Sequence, residues 1–201
     1  MGHDRYIVVT GGPGAGKSTL IDALQEAGYA RSQEAGRGVI RDQAALGGRA
    51  LPWTDPELFA ELMLCWELRS HHEAAAWPGM VFFDRGVPDI VGYLRLEGRP
   101  VPEHLREAVR RFRYHRRVLA APPWPEIYER DAERRQSFAE AVRTYEAVAA
   151  AYRESGYELV ELPRGSVAER VRFAARFRHG PTVARGVSDG SARATDPSGM
   201  P

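Results

Sequence analysis

One eight-residue stretch constrains the fold of this chain more than any other: Gly11-Gly12-Pro13-Gly14-Ala15-Gly16-Lys17-Ser18. Its G-x-x-x-x-G-K-[ST] spacing is typical of a loop in which glycines let backbone N–H groups turn inward around phosphate oxygens. A β-branched apolar run at residues 6–10 precedes the loop, and a helical pattern at residues 18–27 follows it. A strand, a glycine loop and a helix in this order predict a nucleoside triphosphate site, although glycine-rich turns can also serve packing alone.

Lys17 is the only lysine of the chain, because arginine accounts for 27 of its 28 Lys and Arg residues. A compact ammonium fits inside a tight backbone loop and bridges the β- and γ-phosphates, whereas a planar guanidinium does not. We therefore predict a catalytic role for Lys17 and a Mg²⁺-ligating role for the Ser18 hydroxyl. The predicted nucleotide-binding residues are Gly12, Pro13, Gly14, Ala15, Gly16, Lys17, Ser18 and Thr19.

The length and composition fit one α/β domain over residues 1–179. The chain has 201 residues, of which 43% are hydrophobic, enough for one sizeable core. Residues 180–201 are rich in Gly, Ser, Pro and Ala, a composition that predicts a disordered tail. The net charge of +1 gives no overall attraction to nucleic acid or membranes. No apolar run reaches the length of a membrane span, and no leader peptide is expected at the N-terminus.

The single cysteine, Cys65, cannot form an internal disulfide. Its apolar neighbours Leu64 and Trp66 favour a buried thiol. One unpaired thiol in a chain of this size is typical of a reducing compartment. We therefore expect a cytoplasmic protein.

Predicted strands and helices alternate along the rest of the chain, which indicates a parallel sheet with crossover helices. Further strands are predicted at residues 28–32, 80–84, 118–121 and 157–162. Helices are predicted at residues 35–46, 56–76, 88–96, 102–113, 137–154 and 166–178. Several of these helices open on Pro or Ser, as helix N-termini commonly do.

Asp84 ends the most apolar of the later strand patterns. A carboxylate at the end of a strand beside a phosphate loop can order a Mg²⁺ ion or accept the proton of an acceptor hydroxyl. Arg85 and Gly86 follow it, where hydrolytic enzymes commonly place a second carboxylate that polarises water. The pair therefore favours phosphoryl transfer over hydrolysis. The alternative is that Asp84 caps a helix or forms an ion pair with Arg85.

Arg130 and Arg134 lie four residues apart in an arginine-rich stretch. On a helix they would share a face and could stabilise charge that develops on a γ-phosphoryl group in transfer. The alternative is a solvated helix start with ordinary i,i+4 ion pairs. The chain contains no asparagine, so the N-K-x-D motif that reads guanine is absent and ATP is the expected nucleotide.

Taken together, these motifs resemble the small AAA-type P-loop ATPase/kinase family. That family is similar to the nicotinamide riboside kinase domain of the bacterial NAD regulator and more distantly to thymidylate kinases. The resemblance extends over about residues 5–178. It implies a three-layer fold with a five-stranded parallel sheet, a helical acceptor subdomain and an arginine-rich lid. It also implies an acceptor pocket between the ends of the first three strands.

The resemblance further implies roles for three substrate-facing residues. Glu34 and Arg37 match the Glu and Arg that face the acceptor in the riboside kinase relatives, and Asp84-Arg85 matches the Asp-Arg of thymidylate kinases. Gly86 stands where those kinases usually have an aromatic residue, which argues against a nucleotide monophosphate as acceptor. Glu34 could instead stabilise a helix N-terminus, and Arg37 could be a solvated side chain.

The stretch Arg106–Arg117 carries six arginines over an apolar stripe, which indicates an amphipathic helix with a solvated basic face. A nucleic-acid patch is the alternative. The hypothesis for the whole chain is a Mg²⁺-dependent, ATP-binding phosphotransferase that acts on a small hydroxyl-bearing acceptor such as a nucleoside. Two alternatives stay open: a nucleotide switch or ATPase with a protein partner, and a nucleic-acid 5′-hydroxyl kinase. The sequence leaves the oligomeric state undetermined.

Overall fold

The computed structural model describes residues 3–128 and 137–177. Within them the strands are β1 (Tyr6–Gly11), β2 (Ala30–Arg31), β3 (Val81–Asp84), β4 (Arg117–Ala121) and β5 (Glu158–Glu161). All pair in parallel, in the order β2-β3-β1-β4-β5. The predicted five-stranded parallel sheet is confirmed. The predicted lid residues Arg130 and Arg134 and the predicted tail at 180–201 lie outside the described residues.

The helices are α1 (Lys17–Glu26), α2 (Ala35–Leu46), α3 (Pro56–Glu73), α4 (Val87–Leu96), α5 (Glu103–Arg111), α6 (Phe138–Glu154) and α7 (Val167–Arg176). Short 3₁₀ turns occur at His3–Arg5, Ala74–Ala76 and Pro125–Ile127. The helix predicted at residues 56–76 is therefore an α-helix that tightens into a 3₁₀ turn over its last residues. The other predicted boundaries lie within two residues of those observed.

The alternation of side chains along the strands creates two separate apolar cores. From β1, Tyr6 and Val8 pack on one side of the sheet with α2 to α6, whereas Ile7 and Val9 pack on the other side with α1 and α7. This alternation is what the two-residue period of a strand requires when both faces are covered. The molecule thus has the predicted three layers, with the sheet in the middle.

The strand register brings the carboxyl ends of β1, β2 and β3, where predicted site residues lie, to one edge of the sheet. Val9 pairs with Asp84 of β3, and Gly11 pairs with Ala121 of β4. The backbone N–H of Ser32, which follows β2, donates to the carbonyl of Phe82 at 2.9 Å. The phosphate loop, the end of β2 and the end of β3 therefore meet where open parallel sheets commonly bind their ligands.

The expectation that Cys65 is buried is wrong, because its side chain is exposed. Helix α3 buries Phe59, Met63, Glu67 and Ser70, which recur at the helical period. Cys65 lies two residues from both Met63 and Glu67, so it falls on the opposite face. Apolar neighbours in sequence did not predict its burial, because on a helix adjacent residues point in different directions.

Helices α4 and α6 approach so closely that the contact requires glycine. A Cβ atom on Gly92 would lie 2.8 Å from the Cα atom of Val148. The obstructing atom belongs to the backbone, so a side-chain rotation cannot make room. The close contact fixes α6 against the helix that follows β3.

We expect Gly92→Val to destabilise the fold by about 3 kcal/mol or more, because both helices must separate to admit the side chain. Urea unfolding would measure the loss. Leu96→Val is the matched control on α4, because Leu96 is 37% exposed and its replacement should change stability little. Equal stability of the two variants would contradict the close-contact argument.

Candidate active site

The phosphate loop connects β1 to α1 with left-handed backbone at Gly14 (φ 73°) and Gly16 (φ 68°). Gly12 cannot carry a side chain, because a Cβ atom there would lie 2.4 Å from the carbonyl oxygen of Ala141 in α6. No side chain caps the N-terminus of α1. The first N–H groups of that helix are therefore available to an anion.

Lys17 is buried at 6% exposure, and its ammonium donates a 2.6 Å hydrogen bond to the carbonyl of Gly12. Burial, and then the nearby charge of Arg85, lower the pKa of Lys17 to about 7. The carboxylates of Glu34, Asp84 and Asp89 act in the opposite direction. A phosphate anion in the loop would offset the desolvation of this ammonium.

Asp84 combines burial with an unused hydrogen-bonding atom. The residue is 3% exposed, and among the described residues its Oδ1 atom has no hydrogen-bond partner. Its backbone N–H donates to the Ser32 hydroxyl at 3.1 Å, which fixes the end of β3. Burial, and then repulsion by Glu34, raise the pKa of Asp84 to about 6. A carboxylate in this state can take up a proton or a cation at modest cost.

Arg85 adopts left-handed backbone, with φ at 76°. For a residue with a Cβ atom this conformation costs about 1–2 kcal/mol. The turn aims its guanidinium at three acceptors: the Glu34 carboxylate at 3.0 Å, the Gly11 carbonyl at 3.1 Å and the Asp89 carboxylate at 3.0 Å. Strain of this kind is retained where the surrounding contacts over-determine it.

Glu34 is the N-cap residue of α2, and Arg37 lies in the first turn of this helix. Glu34 bridges two arginines, because its second carboxylate oxygen lies 3.0 Å from the Arg37 Nε atom. Burial opposes the ionisation of Glu34, but Arg85, Lys17 and Arg37 together lower its pKa. The Arg37 side chain remains 54% exposed. The predicted substrate-facing residues Glu34, Arg37 and Arg85 thus form one connected ion-pair group.

Asp89, in the first turn of α4, was not identified from the sequence. Its carboxylate accepts hydrogen bonds from Thr10 Oγ1 at 2.7 Å, Tyr152 OH at 2.7 Å and the Gly86 N–H at 3.0 Å, besides that from Arg85. An acidic residue three positions after the Gly86 that opens a helix is a recognisable capping signal. The partners on β1 and α6 leave no signal in the local sequence.

A further acid, Glu67 on α3, lies beneath this group. It is 2% exposed, and its Oε2 atom has no hydrogen-bond partner among the described residues. Burial, with the negative charges of Asp89 and Asp84, raises its pKa well above the ordinary value. Burial therefore favours the protonated form of Glu67.

The described residues contain no group of three or more His, Cys, Asp or Glu side chains that could hold a metal ion. Mg²⁺ does not need such a cage, because it usually takes one or two protein oxygens together with phosphate oxygens and water. The predicted metal ligands Ser18 and Asp84 supply a hydroxyl and a carboxylate, and the unpartnered Oδ1 of Asp84 fits this donor set. Thr19, the last predicted loop residue, is exposed at the start of α1.

The residues next to the predicted lid contact the phosphate loop. A Cβ atom on Gly14 would lie 2.4 Å from the ring of Tyr128. That ring packs against Phe138, at 5.3 Å between centroids. Ser137 begins α6 with a capping box, in which its hydroxyl accepts from the Glu140 N–H at 3.2 Å. The two residues that flank the predicted lid, Tyr128 and Ser137, therefore both lie near the phosphate loop.

The arginines of α5 are largely paired with acids of the same helix. Arg110 contacts Glu103 and Glu107, each at 2.7 Å, and Arg111 also pairs with Glu107. Further along, the guanidinium of Arg113 lies 4.1 Å from the ring centre of Tyr157. These contacts favour a solvated basic face on α5 over a nucleic-acid patch. The amphipathic helix predicted over residues 106–117 is wrong beyond α5, which ends at Arg111, and Arg117 already belongs to β4.

A cleft of about 610 Å³ lies beside the site, between α2, α3 and the edge strand β2. Ser32, Trp66, Ser70 and Trp77 are among its lining residues. Lys17 and Asp84 do not line it. Ser32 connects the cleft to the site through its hydrogen bond to Asp84.

A model of the AAA domain family matches residues 6–170. Among curated protein sequences, none matches the chain significantly. None of the described helices is both long enough and apolar enough to cross a bilayer.

Several solved structures share the fold. The NadR protein in complex with NR aligns with a TM-score of 0.62 at 19% identity, covering 91% of this chain and 53% of that one. NadR with NAD and AMP-PNP gives 0.60 at 19% identity, covering 91% and 51%. Deoxyadenosine kinase from M. mycoides, with dCMP and dCDP, gives 0.61 at 12% identity, covering 87% and 98%. The chain thus spans about half the length of the NadR chains, and these likenesses confirm a P-loop kinase fold.

The raised pKa of Asp84 predicts a pH-dependent gain in stability for Asp84→Asn. Folding raises this pKa from 3.8 to about 6, so the ionised form destabilises the native state once the pH rises above that range. The melting temperature of Asp84→Asn should therefore exceed that of the ligand-free wild type by a few degrees at pH 8. The gain should shrink toward pH 4.

Thermal melts between pH 4 and pH 8 would measure this difference. Asp42→Asn is the control, because Asp42 lies on the exposed surface of α2. A lower melting temperature of Asp84→Asn at pH 8 would count against a destabilising carboxylate.

Proposed function

The chain belongs to the AAA domain family, and on that premise we propose that it transfers the γ-phosphoryl group of ATP to a hydroxyl group of a small acceptor, such as a nucleoside or a related metabolite. One observation carries the proposal. The buried Asp84 presents a free carboxylate oxygen beside the phosphate loop, and the next residue is an arginine in place of a second carboxylate.

The phosphate loop and Lys17 hold the triphosphate in this proposal. The N–H groups at the start of α1 face the phosphate oxygens, and the Lys17 ammonium exchanges its bond to the Gly12 carbonyl for the β- and γ-phosphates. Ser18 and Asp84 would hold Mg²⁺, which would supply positive charge to the phosphates during transfer. Arg130 and Arg134, outside the described residues, are proposed to stabilise the transferring group.

Asp84 also accepts the proton of the acceptor hydroxyl as the new P–O bond forms. In the ligand-free protein its pKa is raised only to about 6, so the carboxylate is largely ionised at neutral pH and able to accept that proton. On the acceptor side, Glu34 is held by two arginines and offers a fixed anionic acceptor for substrate hydroxyl groups. The partly exposed Arg37 supplies further donors.

Arg85 explains why transfer is proposed over hydrolysis. Its three hydrogen bonds to Glu34, Gly11 and Asp89 hold it in place, so no carboxylate at this position polarises water. The guanidinium also connects Glu34, on the proposed acceptor side, to the Gly11 carbonyl at the end of β1. An acceptor hydroxyl that binds between Glu34 and Asp84 would then be the available nucleophile.

A panel of nucleosides and related hydroxyl compounds, incubated with the protein and Mg-ATP, should contain at least one acceptor that raises ADP production. Mass spectrometry should find that compound heavier by one phosphoryl group. Asp84→Asn should lower this turnover about a hundredfold or more, with ATP still bound. For the wild type, kcat/KM should fall as the pH drops through about 6, where Asp84 becomes protonated.

Asp4→Asn is the control of this assay and should retain full turnover, because Asp4 is exposed and precedes β1, at the opposite end of that strand from the phosphate loop. Rapid hydrolysis that needs no acceptor and survives Asp84→Asn would reject the kinase proposal in favour of an ATPase or nucleotide switch.

Lys17→Arg should impair turnover nearly as much as Lys17→Ala, although it preserves the charge. Lys17 is enclosed by the loop and is only 6% exposed, so a planar guanidinium has no room beside the Gly12 carbonyl. Steady-state kinetics of the two variants would test this. Near-normal activity of the arginine variant would show that charge alone is sufficient.

A further inference from the structure

Arg170, on α7, lies directly beneath the phosphate loop. Its guanidinium donates to the Ala15 carbonyl at 3.1 Å and to the Gly16 carbonyl at 3.2 Å. The residue is 4% exposed. A capping box at the start of α7 fixes the helix, because the Ser166 N–H donates to the Glu169 carboxylate at 2.8 Å. Two consecutive carbonyls of the loop are therefore held by one side chain from the far end of the described chain.

Because the peptide bond is planar, these two hydrogen bonds also fix the direction of the backbone N–H groups that would bind phosphate. In a trans peptide the C=O and the following N–H point in opposite directions. If the carbonyls of Ala15 and Gly16 face Arg170, the N–H groups of Gly16 and Lys17 face the other way, toward the open side of the loop. Those two N–H groups lie at the N-terminus of α1, where an anion binds.

The charge of Arg170 has no carboxylate partner within the described residues. Burial lowers the pKa of Arg170. The Nε atom is buried without a hydrogen-bond partner among these residues, and the Trp124 ring centre lies 5.8 Å from the guanidinium carbon. A buried cation without a counter-ion destabilises a fold. A polyphosphate bound in the loop would supply a negative charge that the described residues do not place beside Arg170.

We propose that Arg170 is a positioning residue for the phosphate loop: it holds two peptide groups in the orientation that binds phosphate, and the bound triphosphate compensates its charge. The inference rests on the nucleotide-binding part of the proposed function and does not depend on the acceptor. Arg170 touches the loop backbone, so its effect reaches the ligand through that backbone.

Arg170→Met tests the proposal, because it removes both donors and the charge while keeping most of the side-chain length. Arg172→Met, at an exposed position of α7, is the matched control. Titration calorimetry would measure the Kd of Mg-ATP, and competition against ATP would measure that of inorganic tripolyphosphate. Arg170→Met should weaken both by a similar factor of about ten or more, whereas Arg172→Met should change neither.

Thermal melts separate positioning from simple packing. With positioning, Arg170→Met leaves the ligand-free melting temperature unchanged or higher, because a desolvated cation is gone, and it reduces the increase that Mg-ATP produces. Arg170→Lys, which keeps the charge but loses the planar fork, should bind tripolyphosphate less tightly than the wild type. This variant decides the question if the methionine variant does not fold.

Three results would overturn the proposal: unchanged Kd values in Arg170→Met, a loss for ATP without a loss for tripolyphosphate, or a lower ligand-free melting temperature with affinity intact. The second would place Arg170 at the nucleotide base. Tight binding without phosphoryl transfer to any acceptor would reject the kinase proposal and leave this inference standing.

Discussion

The carboxylate of Asp89 connects the parts on which the candidate site depends. It receives hydrogen bonds from Thr10 on β1, from Arg85 and Gly86 after β3, and from Tyr152 on α6. Several donors on one buried carboxylate compensate for its removal from water. The contact with Arg85 is one of the three that hold the guanidinium of this residue, whose backbone is left-handed. The phosphate loop and the acceptor-side residues thus share a single anchor.

The local sequence predicted those parts of the site that a few consecutive residues determine. The phosphate loop follows from its glycine spacing, and the position of Asp84 follows from the apolar strand that it ends. Glu34, Arg37 and Arg85 were placed by resemblance, and the structure brings them together at one edge of the sheet. The five parallel strands and the three layers were also predictable, because strand and helix patterns alternate regularly.

The remaining features depend on contacts between distant parts of the chain. Arg170 binds carbonyls 154 and 155 residues away, and Tyr152 reaches Asp89 across 63 residues. No spacing rule links such positions. Cys65 was wrongly expected to be buried, because the apolar residues beside it in sequence lie on another face of α3. The edge strand β2 covers two residues where five were predicted, because only Ala30 and Arg31 pair with β3.

The position of β1 in the sheet divides the site into two halves. The predicted substrate-facing residues Glu34, Arg37 and Arg85 follow β2 and β3 on one side of it, whereas Trp124 and Arg170 follow β4 and β5 on the other. The loop after β1 touches both halves, because Gly11 accepts a hydrogen bond from Arg85 and Gly16 accepts one from Arg170. If the chain is the kinase proposed above, substitutions at the ends of β2 and β3 would alter acceptor choice and leave the contacts beneath the phosphate loop intact. In that case this sheet order would let the acceptor residues change while the residues that support the phosphate loop stay the same.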